Sequence, residues 1–204
     1  MVHRWRGMSV VALAVTSLVA AGCSTVSEQT SDPSTHFVAT GSVSCEAVTG
    51  SLAFSPALSA TGTRPETTTI ALKATGCTTS NSSASSLTGG ATTVTVHSPT
   101  SACSGVLTLR SLALTIRWQP VAIRPSVVHF SEYSIVSSPA GSGGFAFPNP
   151  RGSATVVGSF TGSDRGATST ASVFFSPSVA QILAVCRSSG LASLQVVAGH
   201  VTLK

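Results

Sequence analysis

The side chains able to do chemistry are few. Beyond residue 36 the carboxylates are Glu46, Glu66, Glu132 and Asp164, far apart in sequence, whereas general acid–base work on a glycoside needs two of them close together. Among the histidines, His36, His97, His129 and His200 stand too far from one another for any helix or hairpin spacing to bring two onto a metal. A nucleophilic serine at a strand-to-helix elbow needs Gly-x-Ser-x-Gly. The nearest stretch, Gly162-Ser163-Asp164-Arg165-Gly166, is one position off and predicts a hairpin turn. No Gly-rich phosphate loop stands between a strand and a helix. The expectation is therefore a protein that is not an enzyme, with no catalytic residue, no metal ligand and no cofactor. The five cysteines, Cys23, Cys45, Cys77, Cys103 and Cys186, carry the remaining reactive chemistry.

Cys23 stands apart from the other four. His3, Arg4 and Arg6 make a positive start, and Met8 to Ala21 then carries no charge, which suits a signal-peptide apolar region and is too short to span a bilayer as a helix. Arg4-Trp5-Arg6 is not a twin-arginine pair, so the general secretory route is expected. Leu18-Val19-Ala20-Ala21-Gly22-Cys23 resembles the bacterial lipobox, although Ala20 stands where that pattern prefers leucine. The resemblance implies a diacylglycerol on the Cys23 thiol and cleavage just before it. Residues 1–22 are then a lipoprotein signal peptide, and residues 23–36, polar and without apolar periodicity, a flexible tether. The membrane partner is met through this anchor, at the outer face of the cell membrane. The alternative is an ordinary secretory signal cut nearby, with a soluble product.

Cys45, Cys77, Cys103 and Cys186 form an even set in an exported chain, which predicts two disulfides. Three connectivities are open. The short loop favours Cys77–Cys103, leaving Cys45–Cys186; closing about 26 residues is worth roughly 3 kcal/mol in the chain-entropy model. Charged residues make up only 8% of the chain, and the formal charge of +5 falls to +3 once Arg4 and Arg6 leave with the leader. With no Lys/Arg cluster, nucleic acid is not an expected partner.

Residues 37–204 are expected to be one disulfide-stapled domain. Period-two alternation marks strands at Ser42–Val48, Ser51–Phe54 (stopping at Pro56), Thr67–Thr75, Thr92–His97, Ser126–Phe130, Tyr133–Val136, Gly144–Phe147, Ala154–Thr161, Thr168–Phe175 and Leu194–Leu203. A Ser/Asn/Gly-rich loop separates Thr78 from Gly90. In Val106 to Trp118 the odd step from Leu109 to Leu112 demands a bend near Arg110-Ser111. One helix follows Ser176, the expected cap, with Pro177 in its first turn, Gly190 at its end, and Val179, Ile182, Leu183 and Cys186 on one apolar stripe. The fold class is all-β: an antiparallel β-sandwich or distorted barrel with one short helix near the C-terminus.

Two surface features carry possible contacts. Lys73, Arg110, Arg117 and Arg124 would make a mildly basic ridge for an anionic polymer if their strands adjoin; ordinary solvated strand positions are the favoured reading. Tyr133, Phe145 and Phe147 would line a groove or, more in keeping with their type, pack in the core.

Gly41-Ser42-Val43-Ser44-Cys45, Gly50-Ser51-Leu52-Ala53-Phe54-Ser55-Pro56, Thr75-Gly76-Cys77-Thr78, Cys103-Ser104-Gly105-Val106-Leu107 and Gly152-Ser153-Ala154-Thr155-Val156-Val157-Gly158-Ser159-Phe160 resemble uncharacterised exported proteins of actinomycetes. The similarity covers most of residues 37–204. It implies export and a β-domain and transfers no catalytic residue. The expected function is that of a cell-envelope lipoprotein acting as a non-enzymatic binding or structural module. The alternative is an envelope-acting hydrolase with a dispersed active site.

Overall fold

A computed structural model describes residues 36–104, 111–148, 152–162 and 168–204. The leader, Cys23, most of the tether, the expected strand segment with Leu107, Leu109 and Arg110, and the turn holding Asp164 lie outside the described residues. No helix among the described residues is long and apolar enough to cross a membrane.

The chain runs β1 (Val43–Leu58), β2 (Glu66–Thr79), β3 (Gly89–Ser98), β4 (Leu112–Gln119), β5 (Ser126–Phe130), β6 (Ser134–Ser137), β7 (Gly143–Phe147), β8 (Ala154–Gly158), β9 (Thr170–Phe175), α1 (Val179–Ser188) and β10 (Leu191–Leu203). The all-β expectation holds. The strands form one ten-stranded sheet in the order β6-β7-β9-β10-β1-β2-β3-β4-β5-β8, with β1 and β2 at its centre. Every neighbouring pair is antiparallel. The sheet curls into a half-barrel whose concave face is lined by buried apolar side chains.

β1 joins two stretches that the sequence predicts as separate strands. Its register with β2 is unbroken from Val43↔Thr79 to Ser55↔Thr67, straight through Gly50. Gly50 takes φ +147°, and a Cβ there would collide with the Ala71 carbonyl of β2. A glycine therefore lets the strand twist without breaking it. The Ser55–Pro56 bond is cis, and the strand runs on to Leu58.

Strict period-two counting fails at one level of the sheet. On β1 the buried side changes between Cys45 and Val48; on β10 it changes between Val196 and Val201. Cys45 and Val201 are register partners, so the change lies side by side on these two neighbouring strands. β10 also bulges against β9 between Val196 and Ala198. The strongly coiled centre thus faces the half-barrel at one end of its strands and a second packed layer at the other.

That second layer is built on Trp118. It is 2% exposed, and its ring meets Phe160 edge to face at 5.0 Å. Its indole N–H donates to Ser126 Oγ at 2.8 Å, and Ser126 Oγ donates to the Ser159 carbonyl at 2.6 Å. Ser159 Oγ in turn accepts from the Ala39 amide at 3.1 Å. This buried chain of polar groups is fully paired.

The expected loop from Thr78 to Gly90 is shorter than predicted, because both strands run into it. Asn81 caps a 3-10 turn at Ser82–Ala84, which buries Ala84 and, beyond it, Leu87. The helix begins later than expected. Ser178, and not Ser176, is its cap: Ser178 Oγ accepts from the Gln181 amide at 3.3 Å, and Gln181 Oε1 accepts from the Ser178 amide at 2.9 Å. The reciprocal box outweighs the preference for proline in the first turn.

The disulfide pairing differs from the expectation. The bonds are Cys45–Cys77 and Cys103–Cys186, not Cys77–Cys103 and Cys45–Cys186. Cys45 and Cys77 are direct cross-strand partners on β1 and β2, with Cα atoms 3.9 Å apart. A loop of 32 residues is hardly dearer in entropy than one of 26, so strand register decided the pairing. Cys186, 1% exposed, does point inward from the helix stripe as expected, but it ties α1 to the segment after β3. Two disulfides are compatible with an extracytoplasmic location.

Candidate functional site

The concave face of the half-barrel holds an apolar cavity of about 80 Å³. Its walls come from β1, β2, β3, β4, β5, β7, β9 and β10, through residues such as Leu52, Ile70, Leu114, Phe130 and Phe147. The cause of the void is local. β3 pairs with β4 only from Gly89↔Gln119 to Ala91↔Arg117. Gly90 permits that approach, since a Cβ there would lie 2.9 Å from side-chain atoms of both Ile116 and Trp118. Beyond Ala91 the strands part, and Thr92 is the first residue of the fork.

Thr92 is buried and is one of the residues that line this cavity, whose wall is wholly apolar. Its Oγ1 is the one buried side-chain oxygen or nitrogen without a hydrogen-bond partner among the described residues. Leaving a buried hydroxyl unpaired costs on the order of 1–3 kcal/mol. On β9 and β10, Ser172 and His200 are also lining residues, and Ser172 Oγ and His200 Nδ1 lie 2.8 Å apart across their register pair. Neither Thr92 nor this pair is singled out by the sequence, because both depend on strand register and on the fork. An unusual feature of β3, Thr92 following Gly90 on an otherwise valine-bearing face, is the one trace the sequence carries.

Phe145 and Phe147 answer both readings of the aromatic stretch. They are 7% and 9% exposed and pack with Tyr133, Phe130 and Phe175 at centroid distances from 5.0 to 5.7 Å. They are core residues whose inner edges also form cavity wall. Of the basic ridge, the structure brings Lys73 and Arg117 to one level of the sheet, on either side of Ala91, all three exposed. Arg124 is exposed on the turn before β5, and Arg110 is outside the described residues.

Among the described residues, His200 is the one titratable group in the cavity wall. His97 shares a hydrogen bond of 3.1 Å with Thr67 Oγ1 on the outer face, and His129 is exposed, as the alternation predicts. Among the described residues no group of three His, Cys, Asp or Glu side chains is placed to hold a metal. Glu46 is exposed beside Gly76. Glu66, only 4% exposed, receives the Thr68 hydroxyl at 2.9 and 3.1 Å on its two oxygens. Burial raises its carboxyl above the ordinary value of 4.5, opposed by Thr68, the Ser55 backbone and His97. The folded state then binds this proton more tightly than the unfolded chain. Its contribution to stability is full at low pH and is lost as pH rises through the raised value. Thermal denaturation between about pH 4 and 8 should show this fall for the native chain and a flatter curve for Glu66→Gln, with the variant more stable at neutral pH. Parallel curves would refute it.

Fold and cavity together define a curled antiparallel half-barrel with an apolar interior and one orphan hydroxyl. Comparison with protein-family models, with curated proteins and with solved structures finds no match to this chain.

Proposed function

We propose that this protein is an exported lipoprotein of the cell envelope whose domain binds a small apolar molecule inside the half-barrel without transforming it. The observation that carries the binding role is the cavity: an apolar void lined from eight strands on the concave face of the sheet. Export is supported by the charged start and apolar run of residues 1–22 and by the two disulfides. The anchor rests on the resemblance of Leu18–Cys23 to a lipobox. Metabolic labelling with a fatty-acid analogue should mark the native chain and not Cys23→Ala; label retained by the variant would remove the anchor. Xenon, which enters dry apolar cavities, should shift the methyl resonances of Leu52, Ile70 and Leu114 saturably. Unmoved resonances would remove the binding role.

One observation favours a second reading, an envelope hydrolase. Ser172 and His200 at 2.8 Å are the beginning of an acyl-transfer site. Two features weigh against it. Ser172 lies in a strand paired on both sides, with β7 and β10, so the neighbouring amides are engaged in ladders and form no oxyanion hole. Among the described residues the hydrogen bond to Ser172 is the only one the His200 ring makes, so no carboxylate orients it. Covalent labelling by a fluorophosphonate that is lost in Ser172→Ala would establish the hydrolase; no labelling is expected.

A further inference from the structure

We propose that the end of the domain where the chain enters is a membrane-docking face. Phe37, Val38 and Val121 enter the headgroup boundary of the phospholipid surface that carries the anchor, and Arg124 meets a lipid phosphate. The inference rests on the Cys23 anchor argued above and adds which face of the domain the membrane touches.

The first observation is where the chain enters. Residues 37–41 are fastened to the outside of the Trp118 layer. The Phe37 amide donates to the Ala122 carbonyl, and the Arg124 amide donates to the Phe37 carbonyl, both at 2.9 Å. The Ala39 and Gly41 carbonyls accept from the amides of Phe160 and Gly162 at 2.6 and 3.1 Å. The entry point is therefore fixed relative to the sheet. Cys23 stands fourteen residues before Phe37, a span of at most about 50 Å when fully extended. A leash of that length keeps the surface around Phe37 within reach of the bilayer, but it does not by itself select a face.

The second observation is what surrounds the entry point. Phe37, Val38 and Val121 are three of the seven large apolar side chains exposed among the described residues, and the other four stand singly on β6, β8, α1 and β10. Val121, the most exposed of them at 69%, lies in the turn that the Ile123 amide closes on the Pro120 carbonyl. Ala39 and Ile123, from the same two segments, are buried and already join these segments to the core. Single exposed apolar residues are ordinary, whereas apolar residues grouped on one surface mark a contact.

The third observation is charge. Arg124 is exposed within the same hydrogen-bonded pair of segments, and a guanidinium suits a phosphate in a bidentate contact. The described carboxylates lie elsewhere. Glu66 opens β2 at the opposite end of its ladder from Val43↔Thr79, Glu132 follows β5, and Glu46 stands within β1 beside Gly76. Apolar groups with a cation beside them match the acyl–headgroup boundary. A two-fold contact between copies would instead bring each Arg124 towards its twin.

The test reconstitutes the mature lipidated chain into vesicles of phosphatidylethanolamine and phosphatidylglycerol. A nitroxide is placed on Val121→Cys or, in the turn between β1 and β2, on Thr63→Cys. Both positions are exposed, and Trp118 fluorescence checks the fold. Collision with oxygen, which concentrates in the bilayer, and with a neutral nickel chelate, which stays in water, reads the depth of each label. On reconstitution the nickel rate at position 121 should fall by about threefold or more while the oxygen rate rises, as for a side chain seated at the headgroup boundary. Neither rate should change at position 63. Adding Phe37→Ser and Val38→Ser should return position 121 to its value in water while the chain still floats with the vesicles. In chains that float, a position 121 as open to nickel as position 63, or protection untouched by the two serines, would overturn the docking face and leave the anchor standing. Protection already present in detergent, with spin–spin broadening between labels, would assign the patch to a second copy and overturn it equally. A native chain that fails to float with vesicles would overturn the anchor, and the docking face with it.

Discussion

Replacing Cys103 and Cys186 together by alanine is expected to lower stability by about 4.5 kcal/mol in the chain-entropy model, because the bond closes a loop of 83 residues. For a domain of this size that corresponds to a fall in Tm of roughly 10–15 °C. The packing argument points the same way. α1 has ten residues, few for a helix to persist alone, and it is held by a short apolar stripe of which Ile182 and Cys186 are the buried members. It sits directly on β7, where Gly143 leaves no room for a Cβ beside the Val179 backbone. Without the bond the helix loses its covalent tie to the segment after β3 but keeps that seat. Removal of Cys45 and Cys77 should cost less, about 3.7 kcal/mol at most for a separation of 32 residues, since the β1–β2 ladder already orders that loop. Thermal denaturation of the two double variants, followed by circular dichroism, checks the order. A larger loss for the cross-strand pair would show that β1 and β2 depend on their cysteines more than on their register.

Trp118→Ala is expected to cost about 4–5 kcal/mol, near the upper end for a large aromatic residue removed from a core. Three losses add. The indole is almost wholly buried, so its deletion leaves a cavity. Its edge-to-face contact with Phe160 disappears. Ser126 Oγ also loses the indole donor, though it keeps its bond to the Ser159 carbonyl. Phe160 adds to the effect, since it is the one described non-glycine residue with positive φ, at 56°. A bulky residue in that conformation is held there by its surroundings, here by Trp118 and by the 2.6 Å bond from its amide to the Ala39 carbonyl. Trp118→Phe should recover most of the packing and lose the donor, giving an intermediate value. Chemical denaturation of the three proteins measures the series; a cost below about 2 kcal/mol for the alanine variant would mean that this end of the sheet collapses around the gap.

How much of this was legible beforehand follows from the range of each interaction. Alternation over a few residues is local, so β3, β5, β7 and β9 lie close to where the pattern of valine, phenylalanine and threonine puts them. Those residues stand on a pleated surface with one face buried, whatever the partner strand is. The helix stripe ending in Cys186 was legible for the same reason, while its cap was misplaced by two residues because Ser176 and Ser178 differ only in what Gln181 can reach.

Period-two counting broke down where the sheet coils. Gly50 reads as a gap between strands, yet β1 passes through it, because twist is a property of the whole sheet and not of a pentapeptide. The disulfide partners turned on strand register: loop length barely separates the candidate pairings, whereas direct opposition on β1 and β2 selects one. The cavity was invisible for a related reason. Gly90 draws β4 onto β3 for three residue pairs, the strands then diverge, and Thr92 is left beside the void. From the amino-acid order alone come the all-β class, the helix face and the even cysteine set, since each is decided by neighbours in sequence. The curl of the sheet, the sulfur connectivity, the Ser172–His200 pair and the unpaired Thr92 hydroxyl were decided by contacts between residues tens to more than a hundred positions apart, which no local pattern encodes.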